Sequence, residues 1–263
     1  VMYPHDTKDA NDYFKKYTPE QYRELIKTAM PFYKHTFKGL VDIIEEMQAD
    51  KSEKIKFKNI PDVTMGADWL VVLSGKSNVG KTSYVMNLAQ ELVEQDIPVL
   101  VLPFERGPQV VGTRYLQVRY NLGEVEVQGM ESEGWNKIKT EVAGVPLYFA
   151  MPTREEALDV IQRSKRIFNT RVVIIDHLDY MIRNSQRKEQ DIGEMLQNMK
   201  RAAEEHKIIF LVVTHIRKID SPGAKKSKKP GIEDLKGAAS LYQDPECVIM
   251  LTAPEPGEMN VDV

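Results

Sequence analysis

Gly75, Gly80, Lys81 and Thr82 stand at the spacing G-x-x-x-x-G-K-T. Each residue type in this pattern suits a polyanion. The two glycines let the backbone wrap close to phosphate oxygens, where a Cβ would clash or forbid the required φ. The loop's N–H groups, with the first turn of a following helix, form an anion nest. The Lys81 ammonium can reach the β- and γ-phosphates of a nucleotide, and the Thr82 hydroxyl can ligate Mg²⁺. The pattern counts only between a strand and a helix. Here the apolar run Trp69-Leu-Val-Val-Leu73 precedes it, and Val85, Leu88, Ala89 and Leu92 recur at helical spacing behind it. A Gly-rich turn that matches by chance lacks those flanks. Ser74, Gly75, Lys76, Ser77, Asn78, Val79, Gly80, Lys81, Thr82 and Ser83 therefore form a candidate nucleotide site, with ATP or dTTP equally compatible.

Three further side chains stand at the ends of apolar runs. Asp176 follows Val172-Val-Ile-Ile175 directly. A carboxylate there can orient the Mg²⁺ shell beside a phosphate loop; the bland alternative is a helix N-cap. Glu105 closes Val99-Leu-Val-Leu-Pro-Phe104, where it can polarise a water aimed at the γ-phosphate. The bland alternative is a surface Glu paired with Arg106. His215 ends Ile208 to Thr214, where it can sense the γ-phosphate. A lone histidine is commonly just a hydrogen-bonded structural residue, so position carries that reading.

Directly beyond His215 lie Arg217, Lys218, Lys225, Lys226, Lys228 and Lys229 against a single acid, Asp220, six minus one giving a local formal charge of +5. The whole chain carries −3, so this run stands against its surroundings. Such runs are commonly solvated surface. After a strand that ends at a nucleotide site, this one suits a loop that grips a nucleic-acid backbone electrostatically.

These side chains must be positioned by a scaffold, and the rest of the sequence describes one. From residue 69 onward, apolar strands alternate with helical patterns: Val99–Leu102, a helix over 108–121, another over 131–143, Leu147–Ala150, a helix from about 154 to 168, Val172–Ile175, a helix over 192–205, Ile208–Val213 and Cys247–Leu251. That alternation predicts an α/β fold with a mostly parallel twisted sheet flanked by helices, its ligands beyond the strand C-termini. The preceding residues differ. Residues 1–60 read as a helical N-terminal arm, with an amphipathic helix over Phe37 to Met47 and a lysine-rich linker or edge over Asp50 to Lys58, ahead of a main domain over 61–263.

With 263 residues, 29% charged and 42% hydrophobic, the composition is that of an ordinary globular protein. Its one cysteine, Cys247, excludes a disulfide framework and a cysteine-based zinc site, and its apolar neighbours place it in the core. No apolar run approaches the length of a membrane span and no signal-peptide pattern opens the chain, so a cytoplasmic location is expected. The start at Val1 and the acidic, Pro-rich close suggest a piece of a longer protein.

Taken in order, Gly75-Lys-Ser-Asn-Val-Gly-Lys-Thr82, a strand ending in Phe104-Glu105, Ile174-Ile-Asp-His-Leu178, Val213-Thr-His-Ile-Arg-Lys218 and Gly231-Ile-Glu-Asp-Leu-Lys-Gly-Ala-Ala-Ser-Leu241 resemble the RecA-like P-loop NTPase core of hexameric replicative helicases. Histidine at the sensor position and the D-L-K-G element look more like phage primase–helicases and their mitochondrial relative Twinkle than like bacterial DnaB. Lys8-Asp-Ala-Asn-Asp12 is similar to the tail of the TOPRIM primase domain that precedes the helicase linker in such proteins. The resemblance implies a nucleotide-hydrolysing helicase domain that translocates on single-stranded DNA as a homo-hexamer or heptamer. A primase domain or a polymerase would be its further partner. It implies Lys81 and Thr82 on phosphate and Mg²⁺, Asp176 on Mg²⁺, Glu105 as catalytic base and His215 as sensor. Arg217, Lys218, the loop lysines, Lys236 and Gly237 would line the DNA channel. It also implies an arginine finger from a strand past Val248–Leu251, which residues 252–263, without Arg or Lys, are not expected to supply. Two other readings share the loop: a RecA/RadA-like recombinase or clock-type ATPase, disfavoured by the D-L-K-G element, and a non-catalytic scaffold or loader, disfavoured by Glu105.

Overall fold

The computed structural model describes residues 15–21, 23, 39–49, 54–182, 186–216, 239–253 and 258–263. The chain divides into two units, Val1–Lys51 and Ser52–Val263. In the first, Thr18 and Gln21 exchange the two hydrogen bonds of a capping box, and the amphipathic helix runs from Leu40 to Ala49. Residues 8–12 lie outside the described residues.

The second unit opens with a hairpin, β1 (Ile55–Phe57) against β2 (Ile60–Met65). The lysine-rich stretch read as linker or edge is therefore in part a strand, and the reason is visible in its alternation. Ile55 and Phe57 are buried while Lys56 between them is exposed. Its turn is anchored on the helix of the phosphate motif, α1 (Lys81–Val93): Lys58 N donates to Glu91 Oε2 at 2.7 Å, Asn59 Nδ2 donates to Glu91 Oε1, and Tyr84 Oη donates to Asn59 O at 3.0 Å.

Seven strands form the main sheet: β3 (Leu70–Gly75), β4 (Val99–Pro103), β5 (Leu147–Phe149), β6 (Val172–Asp176), β7 (Ile209–His215), β8 (Cys247–Thr252) and β9 (Asn260–Asp262), in the order β5-β4-β6-β7-β3-β8-β9. All pairings are parallel except β8 with β9, an antiparallel edge that the apolar pattern did not announce. Between the strands run α2 (Pro108–Tyr120), α3 (Glu124–Gln128), α4 (Ser132–Val142), α5 (Ala157–Phe168), α6 (Leu178–Met181), α7 (Lys188–His206) and α8 (Ser240–Gln243).

The five central strands, β3, β4, β6, β7 and β8, are buried along most of their length on both faces, which is why they read as continuous apolar runs. Successive side chains enter opposite cores. Val71, Leu73, Val99, Val101, Val172, Ile174, Leu211 and Val213 pack with Val85, Leu88 and Leu92 of α1 and with the hairpin. Leu70, Val72, Leu100, Leu102, Val173, Ile175, Phe210 and Val212 pack with Ile161 of α5 and Leu196 and Met199 of α7. Cys247 is a buried free thiol, as its setting in the sequence implied.

Candidate functional site

Four strand ends make one row. In the sheet, β4, β6, β7 and β3 are neighbours, and their C-terminal residues stand in register: Pro103 beside Asp176, and Gly75 beside His215. Glu105 lies two residues past Pro103, and its N–H still bonds Asp176 O at 3.2 Å. Residues far apart in the chain meet here because parallel strands share a direction.

The loop between β3 and α1 is set by unlike constraints at its two glycines. A Cβ on Gly75 would lie 2.7 Å from Leu251 O of β8 and 2.9 Å from Val79 Cγ1. Gly80, the residue before α1, has φ +94°, a left-handed conformation that side chains strain to adopt. Asn78 is also left-handed, at φ 63°. Ser74 is buried and donates to Thr214 O, Val79 is buried, and Ser83 is half-buried in the first turn of α1. Lys81 is only 4% exposed. Its Nζ donates to Gly75 O (2.9 Å) and Lys76 O (2.8 Å), and stands 3.0 Å from His215 Nδ1. Burial holds the Lys81 ammonium down at about 8, while Asp176, Glu105 and Asp179 oppose that fall.

Thr82 Oγ1 donates to Asp176 Oδ2 at 3.0 Å. Asp176 is 2% exposed, and its Oδ1 makes no hydrogen bond. Burial raises this carboxyl to about 6; the Thr82 hydrogen bond, Lys81 and Arg106 pull it down, and Glu105 pushes it up. A hydroxyl beside a buried carboxylate with an oxygen to spare is the hard-oxygen donor set that Mg²⁺ takes, so the residues present fit that ion.

Beside them, His177 Nε2 lies 2.9 Å from Glu105 Oε2 and 3.4 Å from Asp176 Oδ1. Glu105 is thus engaged by His177 and makes no pair with Arg106 among the described residues. The His177 ring stacks on His215, centroids 4.0 Å apart and planes 20° from parallel. Burial, then the neighbouring His215, Lys81 and Arg106, lower His177 to about 3 and keep it neutral. Burial likewise lowers His215, aided by Lys81 and opposed by Asp179 and Glu105. Donor atoms of Glu105, His177 and His215 all fall within 4.8 Å of one another, which raises the question of a metal site. Nearly parallel rings send their in-plane lone pairs side by side, and His215 Nδ1 already faces an ammonium. The trio forms a hydrogen-bonded stack instead. Asp179 fixes the sensor strand, its Oδ2 accepting from Thr214 Oγ1 and His215 N, both at 3.0 Å.

A cavity of about 430 Å³ is lined by Ser77, Asn78, Gly80, Lys81, Thr82, Ser83, Glu105, His177 and His215, with Asp176 joined to it through its hydrogen bond to Thr82. Arg106, Arg114 and Tyr180 are also part of the lining. The sequence reading assigned no role to His177, Asp179 or these three. The run Ile174-Ile-Asp-His-Leu-Asp179 contained the only signal, two polar residues just past a buried strand. Arg217, Lys218, Lys225, Lys226, Lys228, Lys229, Lys236 and Gly237 lie outside the described residues.

The family model of the DnaB-like helicase C-terminal domain matches residues 54–261. The replicative DNA helicase DnaB of Helicobacter pylori is 23% identical over 237 residues, covering 83% of this chain and 48% of that protein. DnaB of Leifsonia xyli is 19% identical over 228 residues, covering 79% of this chain and 50% of that protein. The chain thus spans about half the length of these curated relatives. Among solved structures, an ATPase domain superposes with TM-score 0.68 at 17% identity, covering 83% of this chain and 84% of that one. A DnaB-like replicative helicase, solved in a study of its interactions with primase, gives 0.66 at 16% identity, covering 94% and 62%. The RecA-like α/β fold expected from the sequence is the one found.

Proposed function

Because this chain belongs to the family of the DnaB-like helicase C-terminal domain, we propose that it is the motor of a replicative DNA helicase, hydrolysing nucleoside triphosphates and translocating on single-stranded DNA within a homo-hexameric or heptameric ring. One observation carries the reading: Lys81, Thr82, Glu105 and His215 border one cavity at the ends of four adjacent strands, and Asp176 is hydrogen-bonded to Thr82 beside it. Lys81 meets the β- and γ-phosphates of ATP or dTTP, and the loop from Ser74 to Ser83 supplies N–H donors. Thr82 and Asp176 are the residues that hold Mg²⁺, which when bound supplies countercharge to the phosphate oxygens.

Glu105 takes a proton from a water whose oxygen bonds the γ-phosphorus. The bond from that phosphorus to the β–γ bridging oxygen breaks, and its electron pair stays on the diphosphate. His215, freed when Lys81 turns to phosphate, senses the γ-phosphoryl group. The basic run from Arg217 to Lys229, with Lys236 and Gly237, follows that sensor in the chain and grips the DNA backbone. A primase or polymerase is the partner class that fits such a motor. No described helix is long and apolar enough to cross a membrane, and the bacterial or phage-infected cytoplasm is the proposed site of action.

The test is hydrolysis of ATP and dTTP with and without oligo-dT. Lys81→Ala should lose both nucleotide binding and turnover, and wild-type rates from that variant would sink the assignment. Replacing Lys225, Lys226, Lys228 and Lys229 by Ala should leave basal hydrolysis intact. It should also flatten the salt dependence of DNA binding by about 0.7 in log–log slope per lost contact. Nucleotide binding without turnover would favour a scaffold, and filaments on DNA a recombinase.

A further inference from the structure

His177 is 2% exposed, and the mechanism above gives it nothing to do. Its neighbours are specific. Nε2 points between two carboxylates, 2.9 Å from Glu105 Oε2 and 3.4 Å from Asp176 Oδ1. Nδ1 is buried and makes no hydrogen bond. That asymmetry assigns the tautomer: a proton on Nε2 is used, whereas a proton on Nδ1 would be a buried donor without an acceptor. The ring's face is occupied too, by His215 at 4.0 Å.

We propose that His177 is a positioning residue for Glu105: its Nε2–H holds Oε2, turning the other carboxylate oxygen to the attacking water, and its stacked face ties that placement to His215. This rests on Glu105 being the base. The 2.9 Å contact from Nε2 fixes the direction of one carboxylate oxygen and leaves the other free to face the water. The stack adds a connection, since His215 stands 3.0 Å from the Lys81 ammonium. Lys81, His215, His177 and Glu105 form a continuous chain of contacts across the cavity, so a shift of Lys81 toward phosphate is felt at the base.

The experiment is single-turnover hydrolysis of saturating Mg²⁺–ATP by the wild-type chain and by His177→Phe and His177→Gln, with binding of the non-hydrolysable triphosphate measured in parallel. Phe keeps the ring and the stack but has no donor; Gln places an amide N–H near the position of Nε2. Phe should cut the chemical rate by about 10- to 100-fold with affinity within about 2-fold, the loss of an orienting hydrogen bond that acts on the reacting geometry and not on binding. Gln should recover most of that loss. Adding His177→Phe to Glu105→Gln should slow the enzyme no further, because there is no base left to position. Additive losses, or a Phe variant as fast as wild type, would overturn the positioning role and leave Glu105 as base. A Glu105→Gln variant at the wild-type rate would overturn the base itself. Should Phe fail to fold, His177→Asn, whose amide falls short of Oε2, takes its place, and equal rates for Asn and Gln would refute the proposal. A ¹⁵N spectrum showing the proton on Nδ1 would refute it independently.

Discussion

Helix α1 has a buried carboxylate near each end, and the two are treated oppositely. At its C-terminal part Glu91, 6% exposed, spends both oxygens on the hairpin turn, accepting from Lys58 N and Asn59 Nδ2. At its start Asp176, 2% exposed, spends one oxygen on Thr82 and leaves Oδ1 without a hydrogen bond. Burying a polar atom unsatisfied costs free energy that folding alone has no reason to spend. The comparison separates a carboxylate that completes the fold from one held ready for something outside it. Glu105 is intermediate, one oxygen held by His177 and its side chain 24% exposed.

The sharpest way to break the comparison is at the third carboxylate. Glu105→Gln should bind Mg²⁺–nucleotide normally and lose about 10²-fold or more in the chemical step, measured by single-turnover hydrolysis. Asp176→Asn should weaken Mg²⁺-dependent nucleotide binding by about 10- to 100-fold, the scale of a damaged metal site, while the ligand-free protein melts no lower than wild type. Matching binding defects in the two variants would remove the distinction between base and metal ligand. Glu91→Gln should invert the pattern, with nucleotide affinity unchanged and about 1–3 kcal/mol of stability lost in denaturant titrations, because an NH₂ group would then face a hairpin donor. A Glu91 variant that melts normally would show that the hairpin holds without it.

The smallest effect concerns Lys81, whose ammonium is depressed from 10.5 to about 8 in the fold. Between those values the unfolded chain binds more protons than the native one, so this group adds stability as pH rises through that window. The stability of the wild type relative to Lys81→Met should therefore grow from pH 7 to pH 10 in the absence of nucleotide. A flat difference would mean that the lysine is not desolvated.

What the sequence disclosed followed from how each feature is built. The five central strands, β3, β4, β6, β7 and β8, were legible because both faces are buried and their residues run apolar without interruption. The phosphate loop was legible because its constraints are local. His177 and Asp179 were not, since their work is done on Glu105 and His215, 72 and 36 positions away by subtraction of the residue numbers. Glu91 hid among the charges of an amphipathic helix, and only the packed hairpin gives its carboxylate a purpose. The β1 strand was missed for a different reason. The alternation Lys54-Ile-Lys-Phe-Lys58 carries the period of two that marks a strand, and its lysine content outweighed that signal.

The two glycines of the motif are not equivalent reporters. Gly75 is crowded by the backbone of a strand that enters the chain some 175 residues later, Leu251 O lying 2.7 Å from where a methyl would sit. Gly80 meets only the flexible end of Met259 and is constrained by its own φ. In a saturation scan Gly75 would therefore score with the sheet, through lost expression and solubility, and Gly80 with the ligand. Grafted onto another strand and helix without an equivalent of β8, residues 74–83 would keep their need for the second glycine and shed this need for the first.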